Sequence, residues 1–96
     1  MIHRRAQSSI RRLSFYRTAA GAEVDVVAER GSRRVAFEMK LSTAPALTKG
    51  FWQALADVKP ETTYVVAPVE AEYPLAETVQ VISPALLVER MLPLAG

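Results

Sequence analysis

Residues 23–40 reverse direction at Gly31-Ser32, and that reversal constrains the chain more than any other feature. A two-residue loop opening with Gly is a hairpin signal, and it fixes the register of the strands on either side. Arg30 is then expected opposite Arg33, and every further pair has residue numbers that sum to 63. One face of the ribbon carries the apolar pairs Val24–Met39, Val26–Phe37 and Ala28–Val35. The other carries Glu29–Arg34, Val27–Ala36, Asp25–Glu38 and Glu23–Lys40. Side chains alternate along a strand, so a slip of one residue would turn the apolar set outward.

Every opposed pair on the second face is matched in character except Asp25–Glu38. Opposed Cβ atoms lie about 4.5–5.5 Å apart, where like charges destabilise a sheet. A divalent cation between the two carboxylates reverses the sign of that interaction. Mg²⁺ is typically held by one or two carboxylates, waters and substrate phosphates. Lys40 lies two residues beyond Glu38 on the same face, within reach of a scissile phosphate or an attacking water. The plainer alternative is a solvated face, with Glu23–Lys40 as a cross-strand ion pair and the two acids tolerated at a wet edge.

Asp25 followed by Glu38-Met39-Lys40 on a β-hairpin resembles the core of the PD-(D/E)XK, or restriction-endonuclease-like, nuclease superfamily. More narrowly, three runs are similar to one subgroup: Phe15-Tyr16-Arg17-Thr18, Gly21-Ala22-Glu23-Val24-Asp25 and Phe37-Glu38-Met39-Lys40-Leu41-Ser42. That subgroup is the domain of unknown function at the C-terminus of many bacterial and archaeal AAA-type ATPases. Tyr64-Val65-Val66-Ala67-Pro68 and Tyr73-Pro74-Leu75 fit it too, so the resemblance covers residues 13–92. It implies Asp25 and Glu38 as ligands of Mg²⁺ or Mn²⁺, and Lys40 as the group that stabilises charge or orients water. It implies Glu23 as an outer ligand or a neighbour of the ligands, and Gln53 as an amide near the nucleic acid. Gln53 has a plain alternative as part of a solvated helix face. Many such nucleases take a further acid from their first helix, whereas residues 1–22 contain no Asp or Glu.

Charge is unevenly distributed. Residues 1–40 hold nine basic and four acidic groups, a balance of +5, and residues 41–96 carry −3. Arg4, Arg5, Arg11, Arg12 and Arg17 precede the first acid. As a cluster they suit phosphate contacts, which give salt-dependent affinity; singly, each also reads as a solvated arm. There is no cysteine, which removes disulfides, thiolate metal sites and cysteine nucleophiles. The lone histidine, His3, leaves no Ser/His/Asp set and no His-based zinc site. Nucleotide-cradling glycine motifs are also missing. No apolar run approaches the ~20 residues of a membrane span, and a cytoplasmic location is expected.

The expected architecture is α/β: a small mixed β-sheet flanked by helices, in the order α-β-β-β-α-β-β-α. Residues 1–12 form a basic arm or short helix, and 13–92 a single nuclease-like domain. Leu47, Phe51, Ala54, Leu55 and Val58 recur at helical spacing, and Pro60 ends that helix. Trp52 beside Phe51 is read as core before it is read as a base-stacking platform. Residues 62–69 are a nearly continuous apolar run, as a buried parallel strand should be. Residues 70–74 read as a loop, 78–83 as the last strand, and Ser83-Pro84 as the cap and first turn of a final helix. Two functions are expected from this set. One is a Mg²⁺-dependent phosphodiesterase acting on nucleic acid. The other is a non-catalytic module of the same architecture that binds nucleic acid, an AAA-type ATPase or a second copy of itself.

Overall fold

The computed structural model describes residues 12–95, with side chains through Met91. Six strands form one sheet: β1 (Arg12–Arg17), β2 (Glu23–Arg30), β3 (Arg33–Met39), β4 (Thr62–Val66), β5 (Tyr73–Ala76) and β6 (Val79–Ile82). Helix α1 (Lys49–Val58) connects β3 to β4, and α2 (Pro84–Ala95) follows β6. The sheet order is β1-β2-β3-β4-β6-β5. The β3–β4 and β4–β6 pairs are parallel and the other three antiparallel, so the sheet is mixed.

The two helices cover opposite faces of the sheet. Phe51, Ala54 and Val58 of α1 pack on Val27, Ala36, Val65, Val79 and Val81. Leu86, Leu87 and Met91 of α2 pack around Tyr64, Val66 and Ile82 with Val35 and Phe37. This division follows from alternation: Ala36 and Val65 point one way, Val35, Phe37, Tyr64 and Val66 the other.

Local chemistry sets the helix ends. Thr48 caps α1, its Oγ1 accepting the Phe51 N–H at 3.0 Å. Lys59, left-handed at φ 55°, closes it by donating its N–H to Leu55, and Pro60 forbids continuation. Ser83 Oγ accepts the Leu86 N–H at 3.2 Å, and Pro84 takes the first position of α2. Gly31, at φ 64°, makes the reversal between β2 and β3.

Four expectations are corrected. Arg12, placed at the end of a basic N-terminal arm or short helix, begins β1; the rest of that segment lies outside the described residues. An additional strand, β5, occupies Tyr73–Ala76, where a loop was expected to run through Pro74. It is an edge strand, where Pro74 can sit without costing an interior ladder bond. Trp52 is 40% exposed while Phe51 is 1% exposed. A helix turns through 100° per residue, so the stripe that buries Phe51 carries its neighbour outward, where Trp52 meets Phe51 edge-on at 5.0 Å. Finally, Val24 does not face Met39; it lies in the core under α1.

Candidate functional site

The β2–β3 ladder obeys the expected register from Arg30↔Arg33 through Glu29↔Arg34, Ala28↔Val35 and Val27↔Ala36 to Val26↔Phe37. Beyond it the two strands take different partners. Ser14 pairs with Val27, but Tyr16 pairs with Val24, so Asp25 and Val26 together oppose the single residue Phe15. Two residues against one is a β-bulge, which bends a strand and reverses its in–out parity. This places Val24 on the same face as Val27. Meanwhile β3 continues along β4 to Met39↔Val66, and the Lys40 N–H donates to Val66 O at 2.9 Å.

The carboxylates bridge the opening between the strands. The Asp25 N–H donates to Glu38 Oε1 at 3.1 Å, and the Met39 N–H donates to Asp25 Oδ2 at 2.8 Å. Each acid thus accepts from the backbone of the opposite strand, which satisfies donors that the ladder has released. Lys40 Nζ lies 3.4 Å from Glu38 Oε2. Asp25, Glu38 and Lys40 therefore form one cluster, with Glu38 8% exposed and Asp25 exposed.

Burial raises the Glu38 pKa above the usual carboxylate value. The Asp25 N–H pulls it down, the Asp25 charge pushes it up, Lys40 pulls it down, and burial prevails. A carboxylate kept partly against its solvation beside a second acid is poised to gain from a cation.

The remaining expected residues go elsewhere. Glu23 pairs with Arg17 at 3.2 Å rather than with Lys40, because β2 beyond its bulge follows β1, where Arg17 is its partner. Gln53 Nε2 donates to Asp57 Oδ1 at 3.3 Å on the exposed side of α1. Arg12 and Arg17 are the first and last residues of the outer strand β1, whereas Arg4, Arg5 and Arg11 lie outside the described residues. Among the described residues no group of three or more His, Asp or Glu side chains is arranged around a metal position.

Sequence reasoning missed a cleft of about 440 Å³ next to Asp25, lined by Phe15, Tyr16, Arg17, Glu23, Val24 and Asp25. It lies beside the bulge, which arises from pairing with β1 and not from the local sequence of Glu23–Arg30. Tyr16 forms part of its wall, with its hydroxyl donating to Asp57 Oδ2 at 2.9 Å and so tying β1 to α1. That bond to a carboxylate raises the Tyr16 pKa.

Together these features define a small α/β domain with a paired-carboxylate cluster where two hairpin strands part. The chain belongs to the family described as Domain of unknown function (DUF4143), whose model matches residues 1–87. It is similar to an uncharacterized protein of Mycobacterium tuberculosis and to one of Mycobacterium bovis, each 33% identical over 67 residues. Those matches take in 70% of this chain and 15% of each relative, so the chain spans a small part of the curated proteins it matches. No solved structure matches it. None of the described helices is long and apolar enough to cross a membrane.

Proposed function

We propose that the domain is a nuclease-like module of the restriction-endonuclease-like type, hydrolysing phosphodiester bonds in nucleic acid with Mg²⁺ or Mn²⁺. The carrying observation is the reciprocal clamp of Asp25 and Glu38 across the parted strands, with Lys40 at 3.4 Å from Glu38. Two acids fit a hard cation whose other positions are filled by waters and phosphate oxygens. When bound, such an ion supplies an activated water and shields charge on the phosphate. Asp25 and Glu38 would hold it, and Lys40 would place a fixed positive charge beside the reacting phosphate. Arg12 and Arg17 would hold the strand backbone, together with the arginines that precede them. On this reading the chain corresponds to the tail domain of an AAA-type ATPase and works in the cytoplasm.

A second reading is favoured by one observation. Asp25 Oδ2 and Glu38 Oε1 already accept backbone N–H groups, so the cluster holds together without an ion. The domain would then be a non-catalytic module that docks on nucleic acid or on an ATPase.

Thermal melts with increasing Mn²⁺, combined with incubation on supercoiled plasmid and branched DNA, separate the two. The catalytic reading expects a metal-dependent rise in Tm and cleavage, both abolished in Asp25→Asn. A flat melt and intact DNA would leave only the docking module.

A further inference from the structure

We propose that the cleft beside Asp25 receives an unpaired nucleotide, its base stacked on Phe15 and a neighbouring phosphate on Arg17; this rests on the nucleic-acid reading above. Phe15 is 85% exposed, an unusual position for a phenyl ring in a strand. It is the residue that Asp25 and Val26 oppose across the bulge, so ring and carboxylate share one register position. They also line the same cleft. Every base offers a π-face to an aromatic ring, so a protruding Phe between arginines suits a single strand of mixed sequence. A duplex keeps its bases stacked and would offer that ring nothing, unless one base is turned out.

The polar wall of the cleft fits a phosphodiester. Arg17 meets Glu23 at 3.2 Å in a pair exposed on both sides, a contact of little energetic weight. A phosphate can displace Glu23, because a guanidinium binds either anion through the same planar fork. Tyr16 is not the platform, since it packs against the core under α1, with its hydroxyl held by Asp57. The substrate class that follows is single-stranded nucleic acid, or duplex with an unpaired base next to the scissile phosphate.

The test is binding without cleavage: fluorescence anisotropy at low salt in chelator, with fluorescein-labelled oligothymidylate and a fully paired, blunt-ended duplex of two complementary strands as probes. Phe15→Ala should weaken oligothymidylate binding by roughly tenfold or more, the scale of one lost base stack. Phe15→Trp should retain it, and neither change should alter duplex binding or Tm. Unchanged oligothymidylate affinity in Phe15→Ala, or an equal loss on both probes, overturns the proposal. So does a wild-type chain that sediments as a dimer and is dissociated by Phe15→Ala, because a second copy would then own the ring. A wild type that binds neither probe also overturns it. An Mn²⁺-dependent Tm rise lost in Asp25→Asn would meanwhile still support the metal site, so the two readings fail separately.

Discussion

Gly50 is a position where local propensity and tertiary packing make opposite predictions. It occupies the first turn of α1, and replacing a helical Gly by Ala ordinarily stabilises by up to about 1 kcal/mol. Here an added Cβ would overlap the carbonyl oxygen of Gly21 and come within 3.3 Å of Gly21 C and 3.7 Å of Ala22 Cα. All three are backbone atoms of the turn feeding Glu23 and Asp25, and they cannot rotate away. Overpacking of this kind costs about 1–3 kcal/mol, so Gly50→Ala should lose a net 1–2 kcal/mol or so despite its better propensity. At roughly 4–8 °C per kcal/mol for a domain of this size, Tm should fall by about 5–15 °C. Ala56→Gly, on the exposed side of the same helix, calibrates the propensity term and should cost about 1 kcal/mol. Thermal unfolding followed by far-UV circular dichroism reads both. Loss of stability in both variants is expected; a Gly50→Ala protein as stable as wild type or more so would refute the close packing of α1 on this turn.

Glu38 should impose a pH dependence. Its folded-state pKa lies above the unfolded value, so its favourable contribution is complete below the unfolded carboxylate range, about pH 4.3, and fades as pH rises through the folded value. In chelator, Glu38→Gln should therefore gain on wild type between acid and neutral pH; urea melts giving the same difference at every pH would contradict this. Thr63 is fully buried in β4, and its hydroxyl has no hydrogen-bond partner among the described residues. Thr63→Val should raise stability by about 1–2 kcal/mol, because an unpaired buried hydroxyl is costly, and a lowered Tm would show that the hydroxyl is satisfied in solution. Arg90 grips Glu72 with two bonds of 2.7 and 2.8 Å, tying the start of β5 to α2. Arg90→Ala should speed hydrogen exchange at Tyr73–Ala76 more than in β4; uniform protection would argue against that tether.

The hairpin was legible because its signals are short-range. Gly31 sits where a positive φ is needed, and the alternating apolar set then dictates the register down to Val26↔Phe37. Ser83-Pro84, the Phe51–Val58 stripe and the apolar run at β4 were readable for the same reason. The bulge at Asp25-Val26 was not, since the irregularity arises from pairing with β1. That one event moves Val24 to the other face and sends Glu23 to Arg17, and the cleft at Phe15 lies beside it. The carboxylate pair was anticipated, but as a cross-strand pair in a continuous ladder. Its actual basis is two backbone N–H groups, each held by the acid on the strand opposite. β5 was hidden because Pro74 reads as loop unless the strand is known to lie at an edge.

The central claim is that Asp25 and Glu38 share a divalent cation, and a crystal grown in Mn²⁺ tests it most directly through anomalous scattering. One peak is expected between β2 and β3, with an oxygen of each carboxylate about 2.1 Å away, as hard octahedral ions require. No peak at saturating Mn²⁺, with both acids still closed on the N–H groups of Met39 and Asp25, would contradict it.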